Sequence, residues 1–246
     1  MRRVNHSPRR GWRGRGPEPK VNVRMSVLLE VRNLHFSHGP GCPELLRGVS
    51  ARLCPGDRLG LCGDIGSGKS SLLHLITGLL KPSSGSVLFE GRALETEKDF
   101  RAARLGMGYL LQRTEDQLFC PTVLEDAAFG PINQGLSPAQ ARERALESLR
   151  ALGVERLAER TGCNLSGGEQ KLAALASVLS MRPKLLLLDE PTNDLDPASA
   201  ELLRDILLDL GLPFIAVSHD AAFLRRVCTG VLRLRDGILV PAEEKP

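Results

Sequence analysis

GDIGSGKS, residues 63–70, is the stretch of sequence that decides the fold. It fits the pattern G-x-x-x-x-G-K-S, and it lies between a strand pattern at 58–62 and a helix predicted for 69–79. In that context a glycine-rich turn lets backbone N–H groups surround phosphate oxygens, and the helix N-terminus adds partial positive charge. The octet therefore predicts a phosphate-binding loop in an α/β core.

The polar residues of this loop have predicted roles on a nucleoside triphosphate. Lys69 would reach the β- and γ-phosphates, and Ser70 would be a ligand of Mg²⁺. The other predicted nucleotide contacts in the loop are Gly63, Asp64, Ile65, Gly66, Ser67, Gly68 and Ser71. A glycine turn with a solvated lysine is the alternative, and the flanking strand and helix patterns argue against it.

A pair of carboxylates ends the run LLLLDE, residues 185–190. A phosphate loop needs a carboxylate at the end of a neighbouring strand to hold the metal, and Asp189 is that candidate. Glu190 points elsewhere and would polarise an attacking water molecule. Acidic residues also end strands for solubility alone, but the phosphate loop favours the catalytic interpretation. The four leucines favour a strand buried on both faces of a mainly parallel sheet.

The charge distribution argues against a nucleic-acid partner. The formal net charge is +4, but residues 1–24 contribute +7, so the other 222 residues carry −3. Residues 1–24 are interpreted as a disordered basic leader: an upstream-extended translation start before Met25, a solvated tail or an Arg-rich targeting peptide. No apolar run reaches the ~18 residues that cross a bilayer. A role at a membrane would therefore need other chains to supply the span.

Residues 113–165 are predicted to form a mostly helical insertion. In SPAQARERALESLRALG, residues 137–153, Ser137 is a predicted N-cap and Gln140 completes a capping box with it. The apolar residues of this helix fall on one face and are expected to be buried: Ala141, Ala145, Leu149 and Leu152. Nearer the end of the chain, two alternating runs around Asp236-Gly237 predict a hairpin.

The stretch NLSGGEQKLAALA, residues 164–176, places two adjacent glycines at the start of a predicted helix. Ser166 and Glu169 fit a capping box, but that box does not explain Gly167 and Gly168, each of which costs about 1 kcal/mol against Ala inside a helix. Two missing side chains in a first helical turn indicate that another group approaches the backbone closely. The helix N-terminus favours an anionic group.

The motifs LSGGE, LLLLDEPTNDLDP and VSHD together resemble the ATPase subunits of ATP-binding cassette (ABC) transporters, over nearly all of residues 29–240. The resemblance implies an α/β fold: a P-loop NTPase core with a mainly parallel central sheet, N-terminal antiparallel β elements and a helical ABC-specific subdomain. It implies one ATPase domain at 25–240, with the helical subdomain inserted at about 113–165 and a tail at 241–246. The implied cofactors are ATP and Mg²⁺.

In that family two subunits sandwich two nucleotides head to tail, and the signature helix of each closes on ATP held by the partner's phosphate loop. The matching residues here, which would complete the opposite site, are Ser166, Gly167, Gly168 and Glu169. The resemblance therefore implies a second ATPase subunit as partner, either another copy or a paralogue.

Three further positions match the family's functional residues. Gln112, which is expected to end the strand GYLLQ, would touch Mg²⁺ and the attacking water and relay to the membrane subunit. Asp196 would lie at the dimer interface, and His219 would contact the γ-phosphate. The implied catalytic set is Glu190, His219, Gln112 and Lys69, and the implied metal ligands are Ser70, Gln112 and Asp189. Taken singly, Gln112 is a polar strand end and His219 a surface histidine.

Two positions depart from the family pattern. His38 stands where an aromatic residue usually stacks on adenine, and an imidazole offers less stacking area than a phenol ring. Leu172 stands where the family usually has arginine, and a leucine cannot make the ion pair that this arginine makes near the signature helix.

The stretch QRTEDQLFCPTVLEDAAFGPINQGLS, residues 112–137, is similar to ATPase subunits of energy-coupling factor importers of the cobalt and nickel type. That similarity implies a peripheral subunit at the cytoplasmic face of the membrane, with Asp116, Gln117 and Phe119, beside Gln112, as candidate contacts to the membrane subunits. ATPases of this group also energise vitamin uptake. A soluble ABC ATPase in DNA repair or translation, and a nucleotide sensor without turnover, are the alternatives.

Overall fold

The computed structural model describes residues 27–242, so the predicted leader at 1–24, Met25 and most of the tail lie outside the described residues. The strands are β1 (Leu29–Phe36), β2 (Leu46–Leu53), β3 (Arg58–Gly63), β4 (Ser84–Phe89), β5 (Arg92–Ala93), β6 (Met107–Leu110), β7 (Leu185–Asp189), β8 (Phe214–Val217), β9 (Gly230–Arg235) and β10 (Ile238–Pro241). The helices are α1 (Lys69–Thr77), α2 (Glu97–Arg104), α3 (Val123–Asn133), α4 (Pro138–Ala151), α5 (Gly167–Leu179), α6 (Pro197–Leu210) and α7 (Ala221–Val227).

A six-stranded, mainly parallel sheet forms the centre, in the order β10-β9-β3-β8-β7-β6. Only β10 runs antiparallel to its neighbour, in the predicted hairpin, where Asp236 and Gly237 adopt φ of 51° and 81°. The sequence led us to expect β7 directly beside β3, and this was wrong because β8 lies between them. The carboxyl ends of all these parallel strands still meet at one edge, which is the edge where the phosphate loop follows β3.

A second sheet, in the order β2-β1-β4-β5, is antiparallel throughout, as expected for the N-terminal region. Strand β2 was not predicted, because its buried residues do not alternate. Leu46, Val49 and Leu53 are buried at spacings of three and four, and the β1–β2 pairing shifts register on either side of Leu34. Gly48 adopts φ of 74° within this irregularity. A bulge of this kind conceals a strand from a search for period two.

Two hydrophobic cores lie on opposite faces of the central sheet, and β7 contributes to both. Leu186 and Leu188 pack into the core beneath α3–α6, whereas Leu185 and Leu187 pack into the core shared with α1 and the antiparallel sheet. All four leucines are fully buried. The prediction of a strand buried on both faces is therefore confirmed.

Truncating Leu187 to alanine is expected to lower the free energy of unfolding by about 2–5 kcal/mol, because a fully buried leucine leaves a cavity that its neighbours cannot fill. The matched control is Leu202→Ala on α6, since Leu202 is 46% exposed and should change stability by less than about 0.5 kcal/mol. Urea unfolding of both variants measures the difference. Equal losses would contradict the assignment of Leu187 to the core.

The region 113–165 contains α3, α4 and three short 3-10 turns, at Thr114–Asp116, Glu155–Leu157 and Gly162–Asn164. The Ser137–Gln140 capping box is present at the start of α4. The apolar face of α4 is buried as predicted, at Ala141, Ala145, Leu149 and Leu152. Helices α4 and α6 have 14 residues each, and no helix within 27–242 is long and apolar enough to cross a membrane.

Candidate active site

The phosphate loop lies at the end of β3 and begins α1. Gly68 precedes α1 in a left-handed conformation, with φ of 104°. A Cβ on Gly63 would lie 2.5 Å from the carbonyl oxygen of Leu234, so this position has no room for a side chain. The Lys69 ammonium is buried and donates to the backbone oxygens of Gly63 at 2.8 Å and Asp64 at 2.9 Å. The lysine is thus held inside the curve of its own loop.

The donors of this loop fit a polyphosphate. The hydroxyl of Ser67 is buried and has no hydrogen-bond partner, so it can donate to a ligand oxygen. Asp64, Ile65 and Gly66 form the exposed rim of the loop, and the Ile65 side chain is fully exposed. The ammonium, the free hydroxyl and the backbone N–H groups of the loop are the donor set that phosphate oxygens require.

Oxygen atoms suited to Mg²⁺ face each other between α1 and β7. The Ser70 hydroxyl donates to Oδ1 of Asp189 at 3.1 Å. Burial raises the pKa of the Asp189 carboxyl, while the Ser70 hydrogen bond opposes that rise. A hydroxyl and a carboxylate next to a phosphate site fit Mg²⁺, which is usually held by one or two carboxylates together with substrate phosphates. The structure thus brings these two predicted metal ligands together across 119 positions of sequence.

Tyr109 is a residue of this site that the sequence reasoning missed. Its hydroxyl donates to Oδ2 of Asp189 at 3.4 Å, so the two carboxylate oxygens have different partners. Burial raises the pKa of the Tyr109 phenol, and the Asp189 charge raises it further, so the donor proton is retained. The one feature of the sequence that could have drawn attention to Tyr109, on β6, is that it is the only tyrosine of the chain.

Glu190 and His219 are in direct contact. Oε2 of Glu190 accepts from the backbone N–H of His219 at 3.2 Å and lies 2.9 Å from its Nδ1. Because a carboxylate only accepts, the second contact requires the proton on Nδ1. Glu190 is buried and has φ of 46°, a strained conformation for a residue other than glycine, whereas the His219 side chain is 66% exposed. The arrangement places a buried carboxylate next to an imidazole that solvent reaches.

The segment after β6 contains Gln112 and Gln117. Gln112 does not end the strand as expected, since β6 ends at Leu110 and Gln112 is exposed two residues later. The side-chain amide of Gln117 is hydrogen-bonded within the chain, and its contact to a membrane subunit stays a prediction. The Gln117 side-chain oxygen accepts from the backbone N–H of Leu111 at 3.1 Å, and its side-chain N–H donates to the backbone carbonyl oxygen of Tyr109 at 3.3 Å. The amide of Gln117 holds the loop closed, because it satisfies backbone groups that the end of β6 leaves free.

Packing within the chain explains why the signature helix, α5, begins with two glycines. Ser166 caps α5 in the predicted box with Glu169. A Cβ on Gly167 would lie 2.9 Å from the carbonyl oxygen of Asp194, and one on Gly168 would lie 2.7 Å from the Ser199 hydroxyl. The sequence led us to expect an anion at this backbone, yet the groups that approach it here belong to the loop and helix after β7. An approach by phosphate remains a prediction for the open side of the turn.

The other predicted contacts are placed as follows. Asp196 is the N-cap of α6, and its carboxylate accepts from the N–H groups of Ala198 and Ser199. The hydrogen bond from the Ser199 hydroxyl lowers the pKa of Asp196 most. His38 is exposed and packs edge-on against Phe36, with ring centroids 5.0 Å apart. Leu172 is buried in the core beneath α3–α6, so the position of the family's arginine is apolar here.

Within the described residues, no hydrogen bond joins the signature residues to the phosphate loop. By contrast, Ser70 meets Asp189, and Glu190 meets His219, at the same edge of the sheet. A glycine-rich loop of the phosphate-binding pattern, with carboxylates at the end of a nearby strand of a mainly parallel sheet, is the arrangement of a P-loop ATPase.

The comparisons with known proteins agree with this class. Residues 46–193 match the family model described as ABC transporter. A putative ABC transporter ATP-binding protein of Nitratidesulfovibrio vulgaris is 51% identical over 219 residues, which is 89% of this chain and 80% of that protein. The energy-coupling factor transporter ATP-binding protein EcfA of Methanosphaera stadtmanae is 39% identical over 220 residues, which is 88% of this chain and 79% of that protein.

Solved structures give the same result. CbiO1 of Clostridium perfringens, described as part of the ABC transporter complex cbiONQ, superposes with a TM-score of 0.79 at 31% identity and covers 87% of each chain. A dimeric post-hydrolysis state of the cassette MJ0796 with ADP and Pi superposes with a TM-score of 0.77 at 28% identity, over 87% of this chain and 97% of that one. The chain therefore belongs to the ABC transporter family and is the ATPase subunit of an ABC transporter.

Proposed function

We propose that this chain energises an importer of the energy-coupling factor type, which takes up cobalt, nickel or a vitamin through separate membrane subunits. The observation that carries the proposal is an exposed apolar surface in the part of the chain that follows Gln112, the aromatic patch, which consists of Phe119, Phe129 and Ile132. Similarity to EcfA and to CbiO1 supports the same type of transporter. The chain would lie at the cytoplasmic face of the membrane, as one domain at 25–240 with its helical insertion at 113–165 turned toward the membrane subunits.

The aromatic patch is built by the loop and helix that follow Gln112. Phe119 is 62% exposed and packs edge-on against Phe129, which is 47% exposed, with ring centroids 5.1 Å apart. Ile132 lies one turn further along α3 and is 47% exposed. Two exposed aromatic rings and an aliphatic side chain side by side are typical of a surface that a partner covers.

A buried carboxylate fixes the loop that carries Phe119. Asp126, on α3, accepts from the N–H groups of Phe119 at 3.0 Å and Cys120 at 2.9 Å. Burial raises the pKa of Asp126, and these two backbone hydrogen bonds oppose the rise. Phe119 therefore stands on a loop tied to α3, so that movement of α3 moves the patch as a unit. Asp116 is exposed on the same loop and would contribute charge to the contact.

In the proposed reaction, Lys69 and the backbone of the phosphate loop bind and orient the triphosphate. Ser70, Asp189 and Gln112 would hold Mg²⁺, which would supply positive charge to neutralise the phosphates when bound. Glu190 would accept a proton from the attacking water, and His219, whose Nδ1 is fixed by Glu190, would present its other ring nitrogen to the γ-phosphate. His38 would stack on the base.

The proposal includes a head-to-tail dimer. The signature residues make no hydrogen bond to the phosphate loop of their own chain within the described residues, and the relative MJ0796 is dimeric. Ser166, Gly167, Gly168 and Glu169 would act on nucleotide held by a second ATPase subunit, with Asp196 at the interface. Closure on two ATP molecules would move the insertion and the aromatic patch, and hydrolysis would reopen the dimer.

The test is co-expression with candidate multi-span membrane subunits of this transporter type, followed by uptake of radiolabelled Co²⁺, Ni²⁺ or a vitamin. A Phe119→Asp variant should lose co-purification with the membrane proteins and at least about 10-fold in uptake, since it places a charge in the centre of an apolar contact. The matched control is Ile238→Asp, because Ile238 is 45% exposed on β10, away from the patch.

The outcomes separate the proposals. Uptake that depends on the chain and on Phe119 but not on Ile238 supports the importer and identifies its cargo. Co-purification that Phe119→Asp does not affect would contradict the docking role of the patch. ATP hydrolysis without any membrane partner or uptake would favour the alternative, a soluble ABC ATPase.

A further inference from the structure

Lys171 is a buried cation that the proposed reaction does not use. It lies in the second turn of α5, two residues after Glu169, the capping-box partner of Ser166, and it is only 3% exposed. Within residues 27–242 it forms no ion pair at 4.0 Å or less. Burying an ammonium group without a paired anion is unfavourable, so the one hydrogen bond that this group makes within the described residues is important for holding it in place.

That contact is with the residue predicted to touch Mg²⁺ and the attacking water. The Lys171 ammonium donates to the backbone oxygen of Gln112 at 3.1 Å. Burial lowers the pKa of Lys171, and nearby negative charges oppose that decrease, in the order Asp194, Asp189 and Glu190. The hydrogen bond to the Gln112 carbonyl is therefore the contact that fixes the ammonium in place.

Neighbouring residues of α5 bind the same segment. Gln170 accepts from the Thr114 hydroxyl at 3.3 Å, and the Ala174 oxygen accepts from the Gln117 amide at 3.4 Å. Segment 112–117 is thus attached to α5 at three points, and Lys171 makes the contact that reaches Gln112 itself. The side chain of Gln112 is exposed, so its direction depends on how its backbone is held.

We propose that Lys171 is a positioning residue for Gln112, which fixes the Gln112 carbonyl against α5 so that the signature helix and the Gln112 side chain move together. The inference rests on the proposed role of Gln112 in ATP hydrolysis. In the proposed dimer, α5 closes on the nucleotide held by the second subunit, whereas Gln112 acts on the nucleotide held by its own chain. The Lys171 contact would link these two elements.

The test compares Lys171→Met with Lys171→Gln in the full chain. The two substituted side chains have equal length and similar volume, but only glutamine can donate a hydrogen bond to the Gln112 oxygen. Hydrogen exchange reports the position of the segment, because the amides of Leu111, Gln117 and Leu118 are hydrogen-bonded within it. Steady-state kinetics of ATP hydrolysis report its consequence.

In Lys171→Met we expect exchange at 111–118 to accelerate by on the order of 5-fold. We also expect kcat to fall by on the order of 10-fold, with KM for ATP changed by less than about 3-fold. Lys171→Gln should stay within about 3-fold of wild type in exchange and kcat. A role in stability alone would lower the melting temperature and would not separate kcat from KM.

Wild-type exchange at 111–118 in Lys171→Met would overturn the inference, and so would equal losses of kcat in the two variants. The exchange measurement needs no ATP turnover, so it decides the inference independently of the proposed function. Absence of ATP hydrolysis in the wild-type chain would contradict the proposed function and leave the exchange result standing.

Discussion

Glu190→Gln is expected to lower the rate of ATP hydrolysis by about 10²–10⁴-fold, because it removes the proposed general base. The amide oxygen of glutamine can still accept from His219, whose N–H and Nδ1 now meet the carboxylate at 3.2 and 2.9 Å. The local geometry should therefore survive, and the loss should fall on proton transfer. Phosphate release measured with the membrane partner present gives the rate.

The same variant should bind ATP and remain in a closed dimer, which gel filtration with ATP detects. Glu159→Gln is the matched control, since Glu159 is exposed and pairs with Arg142 only at 3.5 Å. Its rate should equal that of the wild type. If Glu190→Gln hydrolyses ATP as fast as the wild type, Glu190 is not the base and the proposed mechanism fails.

Lys69→Met is expected to weaken ATP binding by on the order of 100-fold, because each hydrogen bond from an ammonium to a phosphate contributes about 1.5–3 kcal/mol. Methionine retains most of the apolar length of lysine but has no donor. Equilibrium binding of a fluorescent ATP analogue measures the loss.

The fold needs its own check in this variant, because Lys69 also donates to the oxygens of Gly63 and Asp64. A melting temperature close to that of the wild type would show that the loop persists. Lys184→Met is the control, since Lys184 is exposed and pairs with Glu90. Equal affinity in Lys69→Met and the wild type would rule out the phosphate role of Lys69.

Features set by neighbouring residues were predictable from the sequence. The phosphate loop, the capping box at Ser137 and the hairpin at Asp236 depend on contacts within a few positions, and all three are present in the structure. The class of protein was predictable for the same reason, because its motifs are short and ordered. The roles given to the site residues stay predictions.

Features that depend on distant parts of the chain were not predictable. The placement of β8 between β3 and β7 follows from the packing of the whole sheet, and the bulge in β2 hides its periodicity. The contact between Lys171 and Gln112 joins residues 59 positions apart, and no local pattern marks it.

One local feature was not predicted. Helix α2 was missed, although Thr96 and Asp99 have the spacing of a capping box in the sequence and form one in the structure.

The close packing of Gly167 on the carbonyl of Asp194 has a consequence for how two nucleotides are handled. Asp194 lies four residues after Glu190, on the loop that leaves one catalytic centre, whereas Gly167 would face the nucleotide of the other. A shift of the loop after Glu190 would therefore displace the first turn of α5, because the space between Gly167 and the Asp194 carbonyl would not admit even a Cβ. In the proposed dimer we therefore expect the two ATP sites to behave cooperatively, with occupancy of one altering the affinity of the second.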